Sequence, residues 1–557
     1  MQLRRIVMSL RPQLTEQIPD ETVRIARAAF PKGTLCIRLR DELGPIFQDA
    51  MFASLYSHTG QPALSPWRLA LVSVLQFVEG LSDRQAADAV RSRIDWKYAL
   101  ALELSDPGFD FSALCEFRAR LVADKGEDLL FEAVLRRLIE SGLLKPHGRY
   151  RTDSTHVLAA IRNLNRLEAA GETLRAALNE LATTAPEWLR RIVDEGWAER
   201  YGRRVEDYRL PKSEAARRTL AEHIGADGSR ILAAVYEPDA PGLLRDLPMV
   251  QRLRLYWVQQ FHMNDDEVTW RSAADLPPAG MRPHTPYDPD ARYGGKRMTS
   301  WHGYKVHLTE TCDDDAPRLV VHVATTSATV PDLAMTIPIH EALEDRGILP
   351  HRHYLDAGYV DAGIRVHLQR AFQVEPVSPV RPNCNWQGKA EGGYSLDAFV
   401  IDWENQRVRC PQGHFSTSWR PNKTMLGGDF IQIAFSHSTC RQCPSRSACT
   451  RSPKASRRLS VRPRLEYEAI QQARQMQEIA GWQADYDRRA GIEGTLSQGI
   501  RAFGLRKCRY FGLAKTSLQE ILAATAMNMI RAYYWFAGRP LAKTRLSSFS
   551  AMYKPAA

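Results

Sequence analysis

Five β-favouring runs, separated by helical stretches of very unequal length, constrain this chain more than any other feature. The first, Arg149-Tyr-Arg-Thr-Asp153-Ser-Thr-His-Val157, follows a break at Lys145-Pro-His-Gly148. A pair comes next, at 301–310 and 318–325, and the turn-forming Cys-Asp-Asp-Asp-Ala-Pro between them predicts a hairpin. The last two, at 353–356 and 374–379, alternate with helical patterns at 333–345 and 362–370. The order β, long insert, β, β, α, β, α, β predicts a mixed α/β sheet. Catalytic side chains of open α/β sheets gather at strand ends, and both Asp153 and Asp356 are expected at such ends.

The rest of the chain arranges itself around that sheet. Residues 1–147 read as a helical N-terminal domain. Ser65-Pro66 supplies an N-cap and a first-turn proline for a helix ending at Gly80, and Ser82 with Gln85 forms a capping box opening 83–93. This pair has the outline of a helix-turn-helix, in which Arg84, Arg91, Arg93 and Lys97 suit phosphates or a solvated face equally. Further helices are expected near Ser112 and over 129–144. A core, 148–381, carries a helical insertion at about 160–290 whose end, 276–297, reads as loop. Residues 382–460 hold five of the nine cysteines. Residues 461–537 return to helix (462–480 and 516–535), and 538–557 read as a basic tail.

Charge says more than composition does. At 557 residues with 44% hydrophobic and 25% charged, the chain is long enough for several domains with large cores. It shows no secretory signal and no apolar run of membrane-spanning length. Nine cysteines, an odd and sparse number, do not make a disulfide scaffold, so a cytoplasmic protein is expected. The net charge is +11, yet residues 451–557 alone carry 19 Lys+Arg against 7 Asp+Glu, leaving the other 450 residues near neutral. Basic clustering of this kind suits a polyanion, most often nucleic acid, with a solvated basic surface as the alternative.

Within that basic region lies Tyr486-Asp-Arg-Arg-Ala-Gly-Ile-Glu493-Gly. On a continuous helix Glu493 and Arg489 share a face, and the glycines at 491 and 494 suggest that something bulky approaches closely. With Asp153 and Asp356 it makes three carboxylates, which suit hard cations such as Mg2+. Asp332 and His156 also fall near strand ends and read as structural. In the cysteine segment, Cys440-x2-Cys443 with Cys410 and Cys449 suits a tetrahedral zinc site. His414 or His437 could replace one thiolate, and Cys384 is a more distant spare. Unligated thiols in a reducing compartment are the alternative.

Three motifs give these residues a context. Thr-Asp153-Ser-Thr-His-Val, Tyr-Leu-Asp356-Ala-Gly-Tyr and Tyr486-x2-Arg489-x3-Glu493 together resemble the DDE transposases of bacterial insertion sequences. The last follows their Tyr-Arg-Glu signature, continued by Arg506-Lys-Cys-Arg509-Tyr510-x-Gly-Leu-x-Lys515, although Ile500 stands where a lysine is usual and Arg501 follows it. The resemblance implies an RNase H-like core, an InsH-like N-terminal domain and a zinc-ribbon-like insertion before the last catalytic helix. It implies Asp153, Asp356 and Glu493 as ligands of two Mg2+ (or Mn2+) ions. It also implies Tyr486, Arg489, Arg501, Arg506, Lys507, Arg509 and Lys515 as contacts to double-stranded DNA, both terminal inverted repeats and target. A homodimer on paired ends, working at the nucleoid and not at a membrane, belongs to the same expectation. A nuclease without strand transfer and a non-catalytic DNA-binding relative remain as alternatives.

Overall fold

The computed structural model describes residues 17–540 except 58, 59, 61, 265, 266, 297, 381–384 and 426, together with residues 10 and 552. Cys384 and nearly all of the expected basic tail lie outside the described residues. The chain forms two compact units, one of residues 1–145, 153–330 and 492–557, the other of 146–152 and 331–491.

In the first unit, the helix Pro66–Glu79 is buried almost throughout. Its expected cap is supplied from elsewhere: one Asp49 carboxylate oxygen accepts both the Ser65 hydroxyl (2.7 Å) and the Trp67 amide (3.1 Å). Gly80 ends it in the left-handed region (φ 69°), which a residue with a Cβ adopts only at a cost. The Ser82–Gln85 capping box forms as expected and opens Asp83–Ser92. The four cations of this pair are engaged within the fold. Arg91 bonds Asp88, Arg93 pairs with Glu79 and Asp95, Arg84 lies over Phe111, and Lys97 is buried with its ammonium on the Asp106 carbonyl. Arg84 and Arg91 are exposed, whereas Lys97 is buried.

The long helix Leu513–Phe536 organises the same unit. It is buried on every side from Leu518 to Met529, as expected for a helix at the centre of a core. It packs against Leu35–Leu43, Pro66–Glu79 and Asp128–Glu140. The strand β1 (Arg149–Leu158) contributes its later residues here. Helices between Arg166 and Gln260 then form the insertion around their own apolar core, closed by the hairpin β2 (Phe261–Asn264) and β3 (Glu267–Trp270). Next, β4 (Arg292–Lys296) and β6 (Val320–Ser327) both pair antiparallel with β5 (Thr299–Thr311). The expected loop over 276–297 thus ends in a strand. Its glycines hid it from pattern reading, and they have a packing reason: a Cβ at Gly294 would collide with the Trp301 ring.

In the second unit, residues 149–152 of β1 pair in parallel with β7 (Arg352–Leu355), and β7 pairs in parallel with β8 (Glu375–Val377). Helices Thr336–Asp345 and Ala362–Ala371 provide the connections. A buried polar chain runs from Thr152 to His353 (2.6 Å) and on to His340 (3.0 Å). The cysteine segment contains β9 (Val400–Asp402), β10 (Arg407–Arg409), β11 (Ser418–Lys423), β12 (Asp429–Ala434) and β13 (Arg458–Val461). With antiparallel pairs around β5 and parallel pairs around β7, the fold is α/β with a mixed sheet, consistent with a helical N-terminal domain followed by an RNase H-like domain.

Candidate active site

The parallel ladder between β1 and β7 ends at the pair Thr152 and Leu355. Asp153 is the next residue of one chain segment and Asp356 the next of the other. Asp356 stands where expected, one residue beyond its strand. Asp153 does not stand at a strand end, because β1 runs on to Leu158. That continuation has its own partners: the Leu158 amide donates to the Arg506 carbonyl (2.8 Å) and the Ala159 amide to the His302 carbonyl (3.0 Å). Asp153 therefore sits where the parallel ladder stops, inside a longer strand. One of its carboxylate oxygens accepts the Ser154 amide at 2.8 Å.

Gly491, two residues before Glu493, is packed by β1. The buried Arg151 guanidinium donates to the Arg488 carbonyl (2.6 Å) and occupies the space that a Cβ at Gly491 would need. Tyr486 stacks on Trp482 (5.1 Å, 10°) and directs its hydroxyl at the Leu355 carbonyl (3.5 Å). Asp485 binds the Tyr354 hydroxyl (2.8 Å) and Arg352 (3.2 Å). So Thr152, Leu355 and Gly491, which precede Asp153 and Asp356 by one residue and Glu493 by two, belong to one compact unit. Asp485, an acid that sequence reading passed over, belongs to the same unit.

Two expectations need correction. Arg489 and Glu493 do not lie on one continuous α-helix, because 487–490 form a 3-10 turn and the α-helix begins only at Gly491. A 3-10 turn advances each residue further around the axis than an α-turn does, which breaks the four-residue register. The bulky neighbour of Gly491 is also the chain's own Arg151, whereas a Cβ at Gly494 would meet nothing. Glu493 is exposed on the helix Gly491–Ala502, which also carries Ile500 and the exposed Arg501. Near the Asp356 turn, the Asp332 carboxylate lies 3.8 Å from where a Cβ of Gly358 would be, bringing a further acid to this end of β7.

The basic residues divide into two groups. Arg501, Lys507, Arg509 and Lys515 are exposed. Arg506 is held against β1, its Nε donating to the Thr155 hydroxyl at 2.9 Å. Arg509 lies over the Phe77 ring at 4.6 Å, and Tyr510 receives the Arg118 guanidinium at 5.8 Å. Arg509 thus braces the signature's continuation against the N-terminal helices. His156 packs beside Trp301 (5.4 Å), and burial together with Arg506 keeps its pKa low.

The four cysteines line one cavity of about 40 Å³, together with His414. Cys410 follows β10 in a tight turn, its amide donating to the His414 carbonyl at 2.8 Å. Cys440 lies in the helix His437–Gln442, Cys443 caps that helix, and Cys449 ends Arg446–Cys449. Burial pushes the Cys449 thiol up to about 11, with Arg457 opposing and the three other thiols adding to the rise. His437 is engaged elsewhere, on the Lys454 carbonyl at 2.6 Å. Four thiols are a donor set of the kind zinc takes. Among the described residues, however, no three His, Cys, Asp or Glu side chains form a ready-made metal-holding group.

Two family models match the chain. Residues 409–533 match a transposase DDE domain, and residues 25–120 match a transposase domain (DUF772). The first stretch includes all four cysteines, Tyr486, Arg489 and Glu493, whereas Asp153 and Asp356 lie outside both. No curated protein matches the chain. Among the described residues no helix is long and apolar enough to cross a membrane. Two transposase domain models thus match separate stretches of one chain, which is consistent with a DDE transposase of an insertion sequence.

Proposed function

We propose that the chain cuts transposon ends and joins them to target DNA, using Asp153, Asp356 and Glu493 as ligands of two Mg2+ or Mn2+ ions. The observation that carries this reading is the pairing of Thr152 with Leu355 in the ladder, together with the packing of Arg151 against Gly491 and the Arg488 carbonyl. An all-oxygen donor set fits these hard cations. When bound, a metal pair activates the attacking oxygen and stabilises the leaving one in phosphodiester chemistry. The chain's own residues have distinct tasks. Tyr486, through the Leu355 carbonyl, fixes the start of the Asp356 turn, and Arg151 fixes the start of the Glu493 helix. Arg489, Arg501, Arg506, Lys507 and Lys515 supply positive charge for DNA phosphates, and Arg509 steadies that cluster. A homodimer on paired terminal inverted repeats is part of the same proposal.

We also propose that Cys410, Cys440, Cys443 and Cys449 bind a structural zinc ion. Among the described residues, the fully buried core of this segment is Phe399, Val408, Ile433, Phe435, Leu459 and Val461, with Trp403, Trp419 and three of the four cysteines packed against it, a small core of the kind that a metal staples.

The deciding experiment incubates the protein and Mg2+ with DNA bearing the element's terminal inverted repeats and a target plasmid. Ends joined to target support a transposase, and cleavage without joining supports the nuclease alternative. Binding without cleavage supports the non-catalytic one.

A further inference from the structure

The helix that presents Glu493 is poorly built to hold itself. Three of its twelve residues are glycine (491, 494 and 499), and each costs a helix interior about 1 kcal/mol relative to alanine. What fixes it comes from outside. Arg531, on the long helix Leu513–Phe536, uses every N–H of its guanidinium. Nε and Nη2 donate to the Gln498 carboxamide oxygen (3.2 and 2.9 Å) and Nη2 also donates to the Thr495 hydroxyl (2.6 Å). Nη1 donates to Glu310 (2.8 Å) and to the Arg318 carbonyl (2.7 Å). Thr495 in turn donates its hydroxyl proton to the same Glu310 oxygen (2.5 Å). Glu310 is completely buried and the Arg531 side chain is 15% exposed, so neither competes strongly with water.

We infer that Glu310, Arg531 and Thr495 form a positioning lock that sets the rotation of the Glu493 helix and thereby aims the carboxylate at its metal. Thr495 and Gln498 are three residues apart and share one face of the helix. Glu493, two residues from Thr495, points away from that face and is exposed. Arg531 has no donor left for DNA or a ligand, so it acts only through the helix it holds. The inference rests on the reading of Glu493 as a metal ligand.

The test uses Thr495→Val, which removes the hydroxyl and leaves the Glu310–Arg531 pair in place, and Thr495→Ser, which keeps the hydroxyl. Mn2+ binding to the full chain is followed by electron paramagnetic resonance, with Mg2+-dependent cleavage and Tm measured in parallel. Loss of an outer support of a metal ligand typically costs 10–100-fold in affinity. Thr495→Val is therefore expected to raise the half-saturating Mn2+ concentration by about 10-fold or more, with the KM for DNA unchanged and Thr495→Ser behaving as wild type. Wild-type Mn2+ binding by a folded Thr495→Val protein overturns the lock, and so does an equal loss in Thr495→Ser. A wild-type protein that neither binds Mn2+ nor cleaves DNA overturns the parent reading instead.

Discussion

The cysteine segment and the Glu493 helix fall within one matched stretch, yet they are held by opposite means. The segment has six buried apolar side chains and four thiols around a small cavity. The helix has three glycines of its own but is fastened by Arg531, Glu310 and a long buried neighbour. The difference teaches where each proposed metal acts. In the segment, the proposed zinc would make metal binding and folding one event. At the proposed Glu493 site the protein would fold first and the ion bind afterwards.

Breaking the segment should have the largest effect. Structural zinc binding is worth about 10–16 kcal/mol in small zinc domains, so Cys440→Ser or Cys443→Ser should abolish zinc retention and open residues 385–461 to limited proteolysis. A protease-resistant, zinc-free wild-type segment would erase the contrast. Next come the acids. Asp153→Asn, Asp356→Asn and Glu493→Gln should each lower cleavage by about 10³-fold or more, the equivalent of several kcal/mol of metal-derived stabilisation, with Tm little changed. A large drop in Tm would show that these carboxylates hold the fold together, as the thiols do.

The glycines offer a smaller and sharper comparison. Gly491→Ala should destabilise by about 2 kcal/mol, because the buried Arg151 guanidinium has to move. Gly494→Ala meets nothing and should stabilise by up to about 1 kcal/mol through helix propensity. Thermal denaturation of the two variants reads both signs. The smallest effect belongs to the exposed lysines. Lys507→Ala and Lys515→Ala should each weaken DNA binding modestly and flatten the dependence of log K on log salt by about 1. Arg509→Ala should instead lower Tm, through its contact with Phe77.

Local signals were legible in the sequence, and long-range ones were not. The capping box at Ser82, the hairpin of β5 and β6, and the strand before Asp356 each depend on neighbours within a few residues. By contrast, the cap of the Pro66 helix comes from Asp49, the pair Glu310–Arg531 spans 221 residues, and Arg151 reaches Arg488 across 337. No periodicity encodes such contacts. The continuous helix through Arg489 and Glu493 failed for a local reason that spacing cannot show, namely a change of helix type at Gly491. The resemblance brought the three acids together on motif spacing alone. The structure adds the pairing of Thr152 with Leu355 and the packing of Arg151 against Gly491.

Iron-mediated backbone cleavage tests the proposed grouping of the three acids most directly. Fe2+ in place of Mg2+, with ascorbate and peroxide, generates hydroxyl radicals that cut the chain beside the bound ion. The account predicts fragments ending near residues 153, 356 and 493 together, suppressed by excess Mg2+ and lost in Asp153→Asn. Cuts near only one of the three, or a pattern unchanged in Asp153→Asn, would contradict it.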